Sequence, residues 1–103
     1  MDQVILTGQD GQFALTGVLS FQTVPAVWRQ GLSMFNGEDA VHLDLKGVSR
    51  SDSAGLVLLI EWMRHLRLQS REISFTNVPR QMLAIARVSS LDKQLPLSRD
   101  QSS

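Results

Sequence analysis

The sequence predicts an α/β domain, a mixed β-sheet of about four strands covered by helices. Three observations carry that expectation. Short β-prone runs alternate with segments whose apolar residues recur at helical spacing. The 103 residues suffice for one domain and not for two. A hydrophobic fraction of 43%, with charges scattered throughout, is that of a folded globular chain. No repeat or linker divides it, so one domain is expected over residues 1–97. A polar tail, Ser98 to Ser103, is expected to be mobile.

Val4 to Leu6 forms a first short strand, and Asp10-Gly11 supplies the turn into a second, Phe13 to Leu19. Thr23 is placed to cap a helix, with Pro25 tolerated in its first turn. Val24, Val27, Trp28, Leu32 and Phe35 then make its apolar stripe, which Gly31 weakens without breaking. Val41, Leu43 and Leu45 alternate with His42 and Asp44, a strand pattern. A helix from about Ser53 to Leu68 follows, with Leu56, Leu59, Ile60, Met63 and Leu66 as its inner stripe. "REISF" is a fourth strand, and "TNVPRQMLAIARV" a third helix with Pro79 near its start. "SSLDKQL" is expected to add a last helical turn. The order is β-β-α-β-α-β-α, which implies parallel strand pairs and helices on at least one face.

Composition excludes several classes of function. Ten basic and ten acidic residues leave no net charge, against a protein devoted to DNA or anionic lipid. There is no cysteine, hence no disulfide frame, thiolate metal site or thiol nucleophile. Two isolated histidines and scattered carboxylates lack metal-ligand spacing, and neither Walker lysine nor dinucleotide glycines are present. No cofactor is expected. No window approaches the roughly 20 apolar residues of a membrane span, and the N-terminus lacks a signal-peptide pattern, so no membrane insertion is expected.

One stretch remains, "SRSDSAGLVLLIEW" at 49–62, where hydroxyls and an acid crowd the mouth of an apolar helix. A serine nucleophile needs a nearby base. His65 would lie roughly 18 Å along the helix from Ser53, and His42 alternates with inward-facing strand residues. Asp52 or Ser53 would cap the first helical turn. A phosphate on a hydroxyl there would be stabilised by the free N–H groups and helix dipole. Val57, Leu58 and Trp62 fall away from the inner stripe. They form either a partner surface or the flank of a helix buried nearly all round. Arg64, Arg67 and Arg71 read as a solvated basic edge.

The segments "LTGVLSFQTVPAVW", "VHLDLKGV" and "SDSAGLVLL" together resemble a STAS domain, a family named for sulphate transporters and anti-sigma-factor antagonists. The resemblance runs from about Leu15 to Leu91. Its most specific element is strand, Asp-Ser-x-Gly-Leu, then apolar helix, here Asp44 through Ile60. "LSFQTVPAVW", "VSRSDSAGLVLLIEW" and the domain-only length are most similar to the stand-alone STAS subunits of bacterial Mla phospholipid transport systems. That resemblance implies a non-catalytic cytoplasmic accessory subunit, peripheral to the inner membrane. Its partner would be an ABC ATPase resembling MlaF, in a complex with permease and lipid-binding subunits that maintains outer-membrane lipid asymmetry. Ser53 matches the family's Ser/Thr position at the helix start, the residue a phosphorylation switch would use. Arg50, Ser51, Asp52, Ser53, Ala54 and Gly55, with Val57, Leu58 and Trp62, are the expected partner contacts. The alternative is a phosphorylation-switched anti-sigma factor antagonist. Such proteins usually carry acids after the second strand, where this chain has Gly17-Val18-Leu19-Ser20.

Overall fold

The Asp10-Gly11 pair closes a tight hairpin, both residues having positive φ (54° and 81°) as a two-residue turn between twisted strands demands. The computed structural model describes residues 3–37 and 39–90. Within them β1 (Val4–Gln9) runs antiparallel to β2 (Gln12–Leu19), with Val4 opposite Gly17 and Gln9 opposite Gln12. Helix α1 (Val24–Met34), β3 (Val41–Ser51), α2 (Ser53–Arg67), β4 (Ile73–Thr76) and α3 (Arg80–Val88) follow. The sheet order is β1-β2-β3-β4, and the β2–β3 and β3–β4 pairs are parallel, so the sheet is mixed as expected.

Each parallel connection steps one strand in the same direction. Right-handed crossovers therefore set the helices on one face of the sheet. Burial agrees with that arrangement. Val41, Leu43, Leu45, Ile73 and Phe75 face the helices and are buried, whereas His42 and Lys46 are exposed on the opposite face. That open face is polar, unlike most parallel sheets, which helices cover on both sides.

Several expectations shift in detail. Strand β3 continues six residues beyond Leu45, because Gly47, Val48, Arg50 and Ser51 pair with β2 in parallel register. Ser49, Arg50 and Ser51 are thus strand, and Asp52 alone separates β3 from α2. Thr23 does not cap α1 through its side chain. Its hydroxyl accepts the Ser20 N–H (2.9 Å) and donates to the Val18 carbonyl (2.8 Å), tying the end of β2 to the helix start. Leu32 lies at the exposed margin of α1, and Gly31 takes the inner position against the Trp62 indole, where any β-carbon would collide. Helix α3 begins at Arg80 because Thr76 belongs to β4, Asn77 has φ +54° and Pro79 restrains the chain before it.

Arg71 is no solvated edge residue: it is 6% exposed. Its guanidinium donates to the carbonyls of Phe35 (2.6 Å), Asp39 (3.0 Å) and Asn36 (3.4 Å) and to Gln69 Oε1 (3.0 Å). The three carbonyls follow the C-terminus of α1, where a cation is electrostatically favoured. Ser89 and Ser90 form a turn after α3. The rest of the expected last helical turn, and the tail at 98–103, lie outside the described residues.

Candidate functional site

Ser51, Asp52 and Ser53 carry the chain from the C-terminal end of a parallel strand into a helix, the position where open α/β sheets form their crevices. The crossing is fixed by hydrogen bonds. The Asp52 N–H donates to the Leu19 carbonyl at the end of β2 (3.1 Å). The Asp52 carboxylate accepts the Ala54 N–H at 2.8 Å, so Asp52 rather than Ser53 is the side-chain cap of α2. The buried Ser51 hydroxyl donates to the Asp52 carbonyl (2.9 Å). Gly55 faces this hydroxyl and Leu19 so closely that a β-carbon would overlap both, which seats the first turn directly on β2.

A hollow of about 590 Å3 opens here, with Ser20 and Gln22 on one side and Gln81 and Ile85 of α3 on the other. Arg50, Asp52 and Ser53 form its floor and rim. Ser53 is exposed, one residue past the cap. His42 bonds Ser74 through Nδ1 (2.7 Å) on the open face, and His65 lies edge-on to Trp28 (centroids 6.1 Å apart). Neither imidazole is placed to activate Ser53. No group of three or more potential metal ligands occurs among the described residues. No helix there is long and apolar enough to cross a membrane.

The expected partner residues separate into three sets. Arg50, Asp52, Ser53 and Val57 reach the surface, Val57 with 54% exposure. Ser51, Ala54 and Gly55 are buried and shape the mouth from beneath. Leu58 and Trp62 are core residues, 1% and 0% exposed, which corrects their expected place on a partner surface. The reason is tertiary: α1 packs on the flank of α2 that carries them, and the Trp62 N–H donates to the Trp28 carbonyl (3.4 Å). Ile60, expected inside, is only half-buried.

Sequence reasoning missed Phe21. It is 71% exposed on the short connection between β2 and α1. With Val24, Pro25, Ala54 and Val57 it lines an apolar hollow of about 170 Å3. A second hollow of about 280 Å3 adjoins it, reaching Trp28 and Glu61 along the seam between α1 and α2. The available signal was an aromatic residue in a segment without helical or strand periodicity, where no core stripe claims it. The α3 wall, Gln81 and Ile85, carried no comparable signal.

The cap assignment makes a prediction. Asp52→Ala should lower stability by about 1 kcal/mol, whereas Ser53→Ala should stay within about 0.5 kcal/mol of the parent. Thermal melts followed by circular dichroism check both, and equal losses would contradict Asp52 as the cap.

A family model described as "Mlab, STAS domain" matches residues 3–98. No curated protein sequence matches the chain. Among solved structures, the fold is similar to a chain of the Acinetobacter MlaFEDB complex in an ATP-bound conformation. The TM-score is 0.78 at 23% identity, over 90% of this chain and 98% of that one. It is also similar to an anti-sigma-factor antagonist (STAS) domain protein from Planctomyces limnophilus, with TM-score 0.72 and 16% identity over 99% and 93% of the two chains. A third similarity is to the murine anion transporter Slc26a9 (TM-score 0.63, 17% identity), covering 80% of this chain but 14% of the transporter. At these identities the likeness is one of fold.

Proposed function

This chain belongs to the MlaB-type family of STAS domains, and from that premise we propose that it is a non-catalytic accessory subunit of an inner-membrane ABC transporter for phospholipids. In this reading it sits on the cytoplasmic side, binds the ATPase subunit and supports its activity, and so serves outer-membrane lipid asymmetry. The observation that carries the reading is the continuous surface at the start of α2. There the polar mouth of Arg50, Asp52 and Ser53 borders the exposed apolar pair Phe21 and Val57. An apolar centre with a polar rim is the make-up of a protein-binding patch. The end-to-end fold likeness to a chain of the MlaFEDB complex supports the same partner class.

Binding to an MlaF-like ATPase tests the proposal. Val57→Asp places a charge in the apolar patch and should weaken binding by at least about tenfold. The melting temperature should change little, because Val57 already faces solvent. Absence of binding between two well-folded proteins would refute the reading. A signalling antagonist would instead show a phosphorylated Ser53 pool in cells and release of a kinase-like partner by Ser53→Asp.

A further inference from the structure

We infer that the surface this chain docks against is acidic, and that arginines of the helical layer steer the encounter. The inference rests on the ATPase-docking reading and names the chemistry of that partner's surface. The chain as a whole is neutral, but its helices carry an excess of exposed arginine, while Lys46, Arg50 and Arg71 are the described cations outside them. Helices α1, α2 and α3 carry Arg29, Arg64, Arg67, Arg80 and Arg87, all exposed, against the single carboxylate of Glu61. The other described acids, Asp10, Asp39, Asp44, Asp52 and Glu72, lie on strands and connections. Glu61 meets Arg64 at 3.4 Å in the open, where the pair is hydrated and screened. Among the described residues, Arg29, Arg67, Arg80 and Arg87 have no hydrogen-bond or ion-pair partner.

Helix stability accounts for only part of this arrangement. Arg64, Arg67 and Arg87 occupy last turns, where a cation complements the dipole. Arg80 is the first residue of α3, where a cation opposes the dipole. Arg80 also precedes Gln81, which walls the hollow beside Ser53, so this arginine adjoins the proposed docking site. Helix α3 packs against α2, so the four exposed arginines of these helices belong to neighbouring elements of the helical layer.

The chemistry favours protein carboxylates over other polyanions. The three helices contain no lysine. Guanidinium forks bind carboxylates bidentately, and arginine is enriched while lysine is depleted at protein interfaces. Exposed Val57 on α2 and Val88 on α3 offer apolar area among these arginine-bearing helices.

Association kinetics with the ATPase test the inference. Raising salt from about 50 to about 500 mM should slow association by roughly tenfold or more, with little change in dissociation. The Arg80→Glu/Arg87→Glu variant should slow low-salt association by a similar factor. Arg80→Glu alone provides the folding control, because an acid at the start of α3 favours the helix. Its melting temperature should hold while its association slows. Equal rates for variant and parent at low salt would overturn the inference and leave the docking reading standing. Failure of the parent to bind the ATPase at all would overturn both. Equally tight binding of the parent to anionic phospholipid vesicles or a DNA duplex would also overturn the assignment to a protein surface.

Discussion

Trp62→Ala should cost about 3–5 kcal/mol of folding stability, the range for removing a buried large aromatic. Trp62 is fully buried at the seam of α1 and α2, with its ring centroid 5.1 Å from that of Phe35. The indole also rests on Gly31, which admits no side chain there. Gly31 has no β-carbon to move inward, so the void would close only in part. A domain of this size has about 5–15 kcal/mol in total, so the variant should be near its folding limit at physiological temperature. Urea denaturation monitored by far-UV circular dichroism gives the difference directly. A loss below about 1 kcal/mol would mean that Trp62 is not the keystone of that seam.

Arg71→Ala should be comparably damaging, about 3–5 kcal/mol, through polar rather than apolar loss. The side chain reaches three backbone carbonyls after α1, and its removal strips them of their donor. Lysine should recover less than half of the loss, because a single ammonium does not reproduce the planar fork that spans Phe35, Asn36 and Asp39. Thermal melts rank the three proteins, and hydrogen exchange should show faster opening around residues 35–37 in both variants. Full recovery by lysine would show that charge alone, and not geometry, holds this connection.

The two residues also mark where sequence reasoning stops. Arg71 follows a helix and stands beside other arginines in the sequence, so its neighbours suggest solvent. Only the return of the chain, which brings the end of α1 over it, supplies the carbonyls that make its burial tolerable. Leu58 and Trp62 pose the same difficulty in apolar form. Helical periodicity reports that α2 has more apolar surface than one stripe needs, which suits a partner and a second packed helix equally well. The placement of α1 decides for the interior. Val57 stays exposed at the rim of that seam, beside Val24 and Pro25.

Local chemistry alone determined the order and type of all seven elements, the hairpin turn at Asp10-Gly11 and the helix mouth at Asp52-Ser53. Those features arise from neighbours in sequence: side-chain alternation, helical spacing and turn geometry. It also supported the family resemblance, because the strand, Asp-Ser-x-Gly-Leu and helix are contiguous. Tertiary structure alone decided the extension of β3 to Ser51, since strand length there depends on hydrogen bonds from β2. It likewise decided which apolar residues face outward and joined Phe21, from a connecting segment, to Val57 on a helix. A surface patch is a property of residues distant in the chain, and no local pattern encodes their meeting.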